Sequence, residues 1–279
     1  MKIKCFKTLW GHAGCVNEAI ESALDDGFDG IEGPAPPNPI ERRALRSRLS
    51  DSGLSYIAEI CTAGSYVPDR RATLKEHLES FEALAENSLE CAPLFLTAIA
   101  GCDAWPFSKS VDFFEAAIQI ADELRVTVSF ETHRSRSMFH PWVTRDLLLE
   151  LPDLRLTCDF SHWCCVCERL ISTEPEILKL CAERAHHIHA RVGYDQGPQV
   201  PHPAAPEYRP ALEAHEQWWD LIWQAQSARG QLVSTMTPEF GPDGYLQCAP
   251  FTGEPVADLR EINRWIAARE RERFENFLV

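Results

Sequence analysis

VTVSFETHR, residues Val126–Arg134, is the stretch whose reading decides the fold. It alternates apolar and polar residues as a β-strand does, and it ends on Glu131 and His133. Residues two apart in a strand point the same way, so a carboxylate and an imidazole are expected side by side. An unpaired buried charge is costly, and a buried strand seldom ends on two such groups for packing alone. For this strand taken singly, a satisfied polar pair is the simpler account.

Three later strand ends have the same character. LTCDFSHW (Leu156–Trp163) ends in Asp159 and His162, and STMTPEFG (Ser234–Gly241) ends in Glu239. HHIHARV (His186–Val192) puts His187, His189 and Arg191 on one face by the period of two. Glu131 to Asp159 is 28 residues, Asp159 to His189 is 30, and His189 to Glu239 is 50. One strand with its crossover helix takes roughly 30 residues or slightly more. These four groups therefore read as one from each of four successive βα units, which a parallel barrel gathers at its C-terminal rim.

The earlier half of the chain supplies four more strands. They are expected at Lys2–Trp10, Gly30–Pro34 (carrying Glu32), Leu54–Thr62 (with Glu59 near its end) and the apolar run Pro93–Gly101. Helical patterns follow at Val16–Asp25, from an Asn38-Pro39 start through Ser50, and around Leu74, Leu78, Phe81 and Ala85. Ser110 is expected to cap a helix carrying Phe113 and Phe114; further helices fall near Glu174–Arg184, Ala211–Ser227 and Pro255–Phe277. Eight strands each followed by a helical pattern make one α/β domain over 1–279, a single (β/α)8 barrel. A doubly wound open sheet gives no reason for polar ends on four successive strands.

Two connections, 193–210 and 241–254, are longer than βα loops usually are and read as lids over that rim. Trp10, Trp105 and Trp163 fall at expected strand ends; Trp10 and Trp105 are candidates for an apolar wall against a sugar face, with core capping as the plain alternative.

Composition narrows the function. With 45% hydrophobic and 25% charged residues the chain is ordinary for a globular protein, and no apolar run approaches the roughly 20 residues that span a bilayer. The start, MKIKCFKTLWGHAG, has no signal-peptide pattern, so a cytoplasmic protein with no membrane partner is expected. A net charge of −15 argues against a nucleic-acid partner. The eleven cysteines are expected to be reduced thiols, since Cys158, Cys164, Cys165 and Cys167 lack the second close pair of a structural zinc site.

Three carboxylates and an imidazole suit one divalent ion: Mn2+ first, then Mg2+ or Co2+. Zinc would prefer more nitrogen or sulfur. A polyol held by a carbonyl and the adjacent hydroxyl would lie between Glu131 and Glu239, expected across the barrel mouth from each other. One glutamate would remove the proton beside the carbonyl and the other return one on the opposite face.

The set Glu131, Asp159, His189 and Glu239 resembles the metal ligands of the xylose-isomerase-like (β/α)8 barrels, which include D-tagatose 3-epimerase, hydroxypyruvate isomerase, inosose dehydratase and endonuclease IV. The resemblance implies His189 rather than His187 as the imidazole ligand, and Glu131 and Glu239 as the acid–base pair. Asp159–His162 matches the D-x-x-H of the epimerases, implying that His162 contacts a substrate oxygen. Arg191 is the candidate for their substrate arginine, and His133 adds an imidazole that their pattern lacks. The reading that results is a metal-dependent isomerase or epimerase acting on a keto-sugar through an enediolate. The alternative is a lyase or dehydratase acting on a keto-sugar, keto-inositol or 3-keto-glycoside, and a non-enzymatic sugar-binding barrel is a distant third. A homo-oligomer is expected only on general grounds. Arg134, Arg136 and Arg191 could meet a phosphate, but no glycine-rich cradle accompanies them.

Overall fold

Short apolar strands joined by amphipathic helices bury both faces of a parallel sheet when helices cover both, or when helices cover one face and the sheet closes on the other. The structure, a computed structural model describing residues 1–277, does the second. The strands β1 (Lys2–Thr8), β2 (Gly30–Gly33), β3 (Ser55–Cys61), β4 (Leu96–Ile99), β5 (Val128–Glu131), β6 (Leu156–Cys158), β7 (Ala185–His189) and β8 (Val233–Thr237) pair in sequence order, all parallel. β8 returns to β1 through Lys2–Val233 to Cys5–Met236 and closes the barrel. The expected (β/α)8 architecture is the one observed.

Outside the strands lie α1 (Val16–Asp25), α2 (Pro39–Ser52), α3 (Leu74–Leu89), α4 (Phe107–Glu123), α5 (Pro141–Glu150), α6 (Ser161–Val166), α7 (Pro175–Arg184), α8 (Arg209–Ala228) and α9 (Leu259–Phe277). Asn38 caps α2 by accepting from the Ile40 amide at 2.8 Å, with Pro39 in the first turn. Several boundaries differ from the sequence reading, and three have a visible cause or consequence. Pro106, not Ser110, precedes α4; Ser110 is buried one turn in and donates to Ser137 Oγ at 3.0 Å. Residues 255–258 stay outside α9 because Pro255 pairs back with Cys248, and Asp258 Oδ1 accepts the Glu261 amide instead. The sixth strand stops at Cys158, so His162 and Trp163 stand on α6.

The barrel interior is layered. Phe6, Ile57 and Phe95 fill the bottom. Gly30 on β2 makes room for the ring of Phe6, since a Cβ there would meet it at 2.6 Å. Above lies a hydroxyl layer, with Thr157 Oγ1 2.7 Å from both Thr97 Oγ1 and Ser129 Oγ. His187 packs edge-on to Phe95 and Phe6 between these layers and the rim.

One feature of the shell titrates. Glu270 on α9 is fully buried; its Oε2 accepts from Arg273 Nη1 at 2.6 Å and its Oε1 has no partner. Arg273 also binds Asp220 of α8, and Arg269 binds Glu216. Burial pushes Glu270 up to about 8, with Arg273 opposing and Glu216 reinforcing. A raised folded value favours the protonated acid, so the stability it contributes is complete below the unfolded value and is lost as pH rises towards 8. Glu270→Gln is expected to flatten this loss, making the variant more stable than wild type by on the order of 3 kcal/mol at pH 8.5. Urea unfolding at pH 5 and 8.5 checks it; parallel pH profiles for the two proteins would remove Glu270 as the cause.

Candidate active site

Glu131 and His189 close β5 and β7, and Asp159 and Glu239 lie one and two residues past β6 and β8. Thr132, just past β5, fixes the neighbouring strand end: its Oγ1 donates to Asp159 O and accepts from Asp159 N, both at 2.8 Å. Asp159 then turns the chain into α6 by accepting the Ser161 amide at 3.0 Å and the Ser161 hydroxyl. Glu131, Asp159, His189 and Glu239 each bring a ligand atom within 4.8 Å of the others', and all four are buried. The two glutamates expected across the mouth from each other converge, because β5 to β8 are contiguous and their inward side chains meet near the axis.

Glu32 at the end of β2 orients the imidazole. Its Oε1 lies 3.0 Å from His189 Nε2 and its Oε2 3.0 Å from His187 Nε2, and Thr237 donates to it as well. Burial alone would raise Glu32, but His187 and His189 together hold it well below the usual carboxylate range. An ionised carboxylate only accepts, so both imidazoles donate Nε2–H to it. His189 therefore presents Nδ1 upward, 3.1 Å from Glu239 Oε2 and 3.6 Å from Glu131 Oε1. His187, bonded to Glu32 and Thr235, lies beneath and takes no part in the four-residue set.

The other sequence candidates divide. His162 Nε2 is 3.6 Å from Glu131 Oε1 and 3.7 Å from Asp159 Oδ2, because three residues on a helical turn return it to the same place. His133 packs against it with the rings tilted by 49° and their centroids 4.0 Å apart, and burial keeps both imidazoles neutral. Arg191 binds Asp159, donates to Ser161 Oγ at 3.0 Å and reaches Glu239 at 3.7 Å. Its guanidinium lies under Tyr245 and Trp10, at 4.8 and 5.5 Å. Trp10 lines the cavity above; a Cβ at residue 241 would meet its ring at 2.1 Å, so Gly241 is required. Trp105 does not reach that cavity: it packs on His77 and Phe113, and Trp163 is buried donating to Met138 O. Arg136 is committed to backbone carbonyls, so it is not free to meet a phosphate.

The cavity is about 570 Å³ and has Glu131, His133, Arg191 and Glu239 on its β5–β8 side. Tyr245, from the loop 241–254, closes that side, whereas 193–210 contributes no lining residue. Gln199 ties the two loops by bonding both the amide and the carbonyl of Gly241. Glu59, singled out in the sequence only as a strand-end residue, also faces the cavity, with Cys61 Sγ at 3.7 Å as its one hydrogen-bond partner. Glu32 and Glu59 carry the same signal, a lone carboxylate near the end of an apolar strand, that selected Glu131, Asp159 and Glu239.

The donor set fits a divalent cation. Glu131 Oε2 is buried without a hydrogen-bond partner, and His189 Nδ1 meets only carboxylate oxygens, those of Glu239 and Glu131. Burial pushes Glu131 up to about 7, although His189 opposes the shift, and it raises Asp159 against the pull of Arg191. Burial disfavours a charged His189, yet Glu239, Glu32 and Glu131 together hold its proton well above the usual range. Such a cluster carries excess negative charge, which a dication neutralises. Both Asp159 oxygens are already engaged, but each retains a second lone pair. All eleven cysteines are free, and among the described residues none joins a cluster of this kind.

No protein-family model matches the chain. No curated protein matches its sequence. Solved structures do resemble it. The IolI protein with a binding zinc atom aligns with TM-score 0.66 and 15% identity over 98% of this chain and 99% of that one. D-psicose 3-epimerase in the presence of D-fructose gives 0.65 and 13% over 96% and 98%. The probable 3-DHS dehydratase AsbF from Bacillus anthracis gives 0.61 and 16% over 95% and 97%. Over nearly the whole chain, then, this protein has the fold of the xylose-isomerase-like (β/α)8 barrels.

Proposed function

We propose that the protein is a divalent-metal-dependent isomerase or epimerase acting on a ketose or related keto-sugar. The observation that carries this reading is the convergence of Glu131, Asp159, His189 and Glu239 beside one cavity that the two glutamates line, with Glu131 Oε2 unpartnered. A divalent ion held by these four residues would supply Lewis acidity to a carbonyl oxygen and acidify the neighbouring C–H. Glu131 takes that proton and Glu239 returns one, through an enediolate. His133 and Arg191 face the cavity and hold substrate oxygens, His162 backs His133 and bonds Arg191, and Trp10 presents its ring to the sugar's apolar face.

Elemental mass spectrometry of protein purified without chelator tests the ligand set. About one ion per chain is expected in wild type and in His187→Ala, and its loss in Asp159→Ala and His189→Ala. Retention in His189→Ala with loss in His187→Ala would assign the wrong histidine. No ion in wild type, and no stabilisation by added Mn2+, would remove the electrophile and the reading with it.

Glu59 favours a second reading. Burial, with Glu239 and Glu131 adding to it, pushes this carboxyl up to about 8, so a third acid stands protonated in the cavity at neutral pH. Epimerisation needs two acid–base groups; elimination from the same enediolate uses a further acid to protonate the leaving group. Loss of water or release of an aglycone, against recovery of an isomeric sugar, separates the two.

A further inference from the structure

The cavity has two unlike halves. Strands β5–β8 and their loops supply its charged groups, while the side formed by β1, β2 and β4 is a shelf of Leu9, Val16, Pro34, Pro36, Pro37 and Ile99. On this side only Glu59, from the intervening β3, and Glu41, an exposed residue of α2, are ionisable. The shelf is held rigid from beneath. Arg42 is 5% exposed and its Nη1 donates to the carbonyls of Pro36, at 3.1 Å, and Pro37, at 2.7 Å. Its Nη2 pairs with Glu90 of α3 at 3.0 Å. Three prolines with fixed φ, pinned by a buried arginine, make a preformed apolar surface.

We propose that this cavity takes a keto-sugar joined to an apolar group, a keto-glycoside of an apolar aglycone, with the sugar over the β5–β8 residues and the aglycone on the shelf. The proposal rests on the keto-sugar reading above and names the substrate class. Size and chemistry both support it. A volume of about 570 Å³ equals roughly nineteen waters, more than the twelve heavy atoms of a hexose occupy. A second sugar ring or a phosphate laid on Leu9, Val16, Ile99 and the three prolines would bring hydroxyls or charge against side chains with no donor or acceptor, losing its water bonds without replacement. An aromatic or aliphatic group loses nothing there and gains burial.

The test is titration calorimetry on the full chain with Mn2+ present, using methyl and phenyl 3-keto-β-D-glucopyranoside as probes. The phenyl glycoside is expected to bind about tenfold tighter or more. Val16→Asp and Ala35→Asp should each abolish that advantage while leaving methyl glycoside affinity within about twofold. Both residues line the cavity and are part-exposed: Val16 opens α1, where an acidic side chain suits the helix N-terminus, and Ala35 is a loop residue between the shelf prolines. Equal affinity for the two probes, with methyl binding intact, overturns the shelf and leaves the keto-sugar reading standing. An advantage that survives both aspartates also overturns the shelf. Binding of neither probe overturns both.

Discussion

Glu131→Gln and Glu239→Gln are each expected to cut turnover by about a thousandfold in a protein that still folds. A positioned acid or base contributes roughly 10²–10⁴ to a proton transfer, and the amide has the shape of the carboxyl without its proton chemistry. The geometry allows a clean substitution. Glu131 Oε2 has no partner to lose, and the approach of Glu131 to His189 is 3.6 Å, longer than a hydrogen bond. The amide oxygen can still face a metal, so ion content should fall less than in Asp159→Ala. Deuterium uptake from solvent into a ketose or keto-glycoside is the measurement. A near-normal rate in either variant would take that glutamate out of the proton transfer, whatever its part in holding an ion.

Arg136→Ala is expected to destabilise the fold by about 3–5 kcal/mol, a large part of the roughly 5–15 kcal/mol that holds a domain together. Arg136 is fully buried, and no carboxylate is among its hydrogen-bond partners. Its Nη1 donates to Thr62 O at 2.8 Å and Gly101 O at 3.1 Å, and its Nε donates to Tyr66 O at 3.2 Å. Burial lowers its own pKa to about 10, so it stays charged at neutral pH. One side chain from the β5 loop thus ties down the loops after β3 and β4. Truncation leaves the buried carbonyls of Thr62 and Gly101 without donors, at about 1–3 kcal/mol each, and opens a cavity. Lysine cannot span the same fork of acceptors, so Arg136→Lys should recover only part of the loss. Urea unfolding reads the change. A loss below about 1 kcal/mol would mean that water replaces the guanidinium. Because Tyr66 lines the cavity, a looser loop should also raise KM in any assay found.

The eight βα units and the inward-facing polar residues were legible in the chain because both are local properties. Alternation of two in Val128–Glu131 and Ala185–His189 is a consequence of strand geometry, and it points Glu131 and His189 at the axis whatever lies opposite. Boundaries were less legible. LTCDFSHW reads as one strand until the Asp159–Ser161 bonds turn it into a helix, and only those contacts reveal the turn. Trp10 and Trp105 look alike in sequence, yet Gly241 gives Trp10 a place at the cavity while His77 and Phe113 draw Trp105 into the wall.

Sequence by itself determined the number of strands, the closed parallel architecture and which side chains each strand turns inward. Barrel closure decided which of those side chains meet. Glu32 on β2 reaches His187 and His189, more than 150 residues away on β7, and so sets which imidazole nitrogen faces the glutamates. Closure also put the proline shelf opposite the charged strands. Side-chain direction follows from φ and ψ at one residue, whereas convergence depends on the tilt and stagger of all eight strands together.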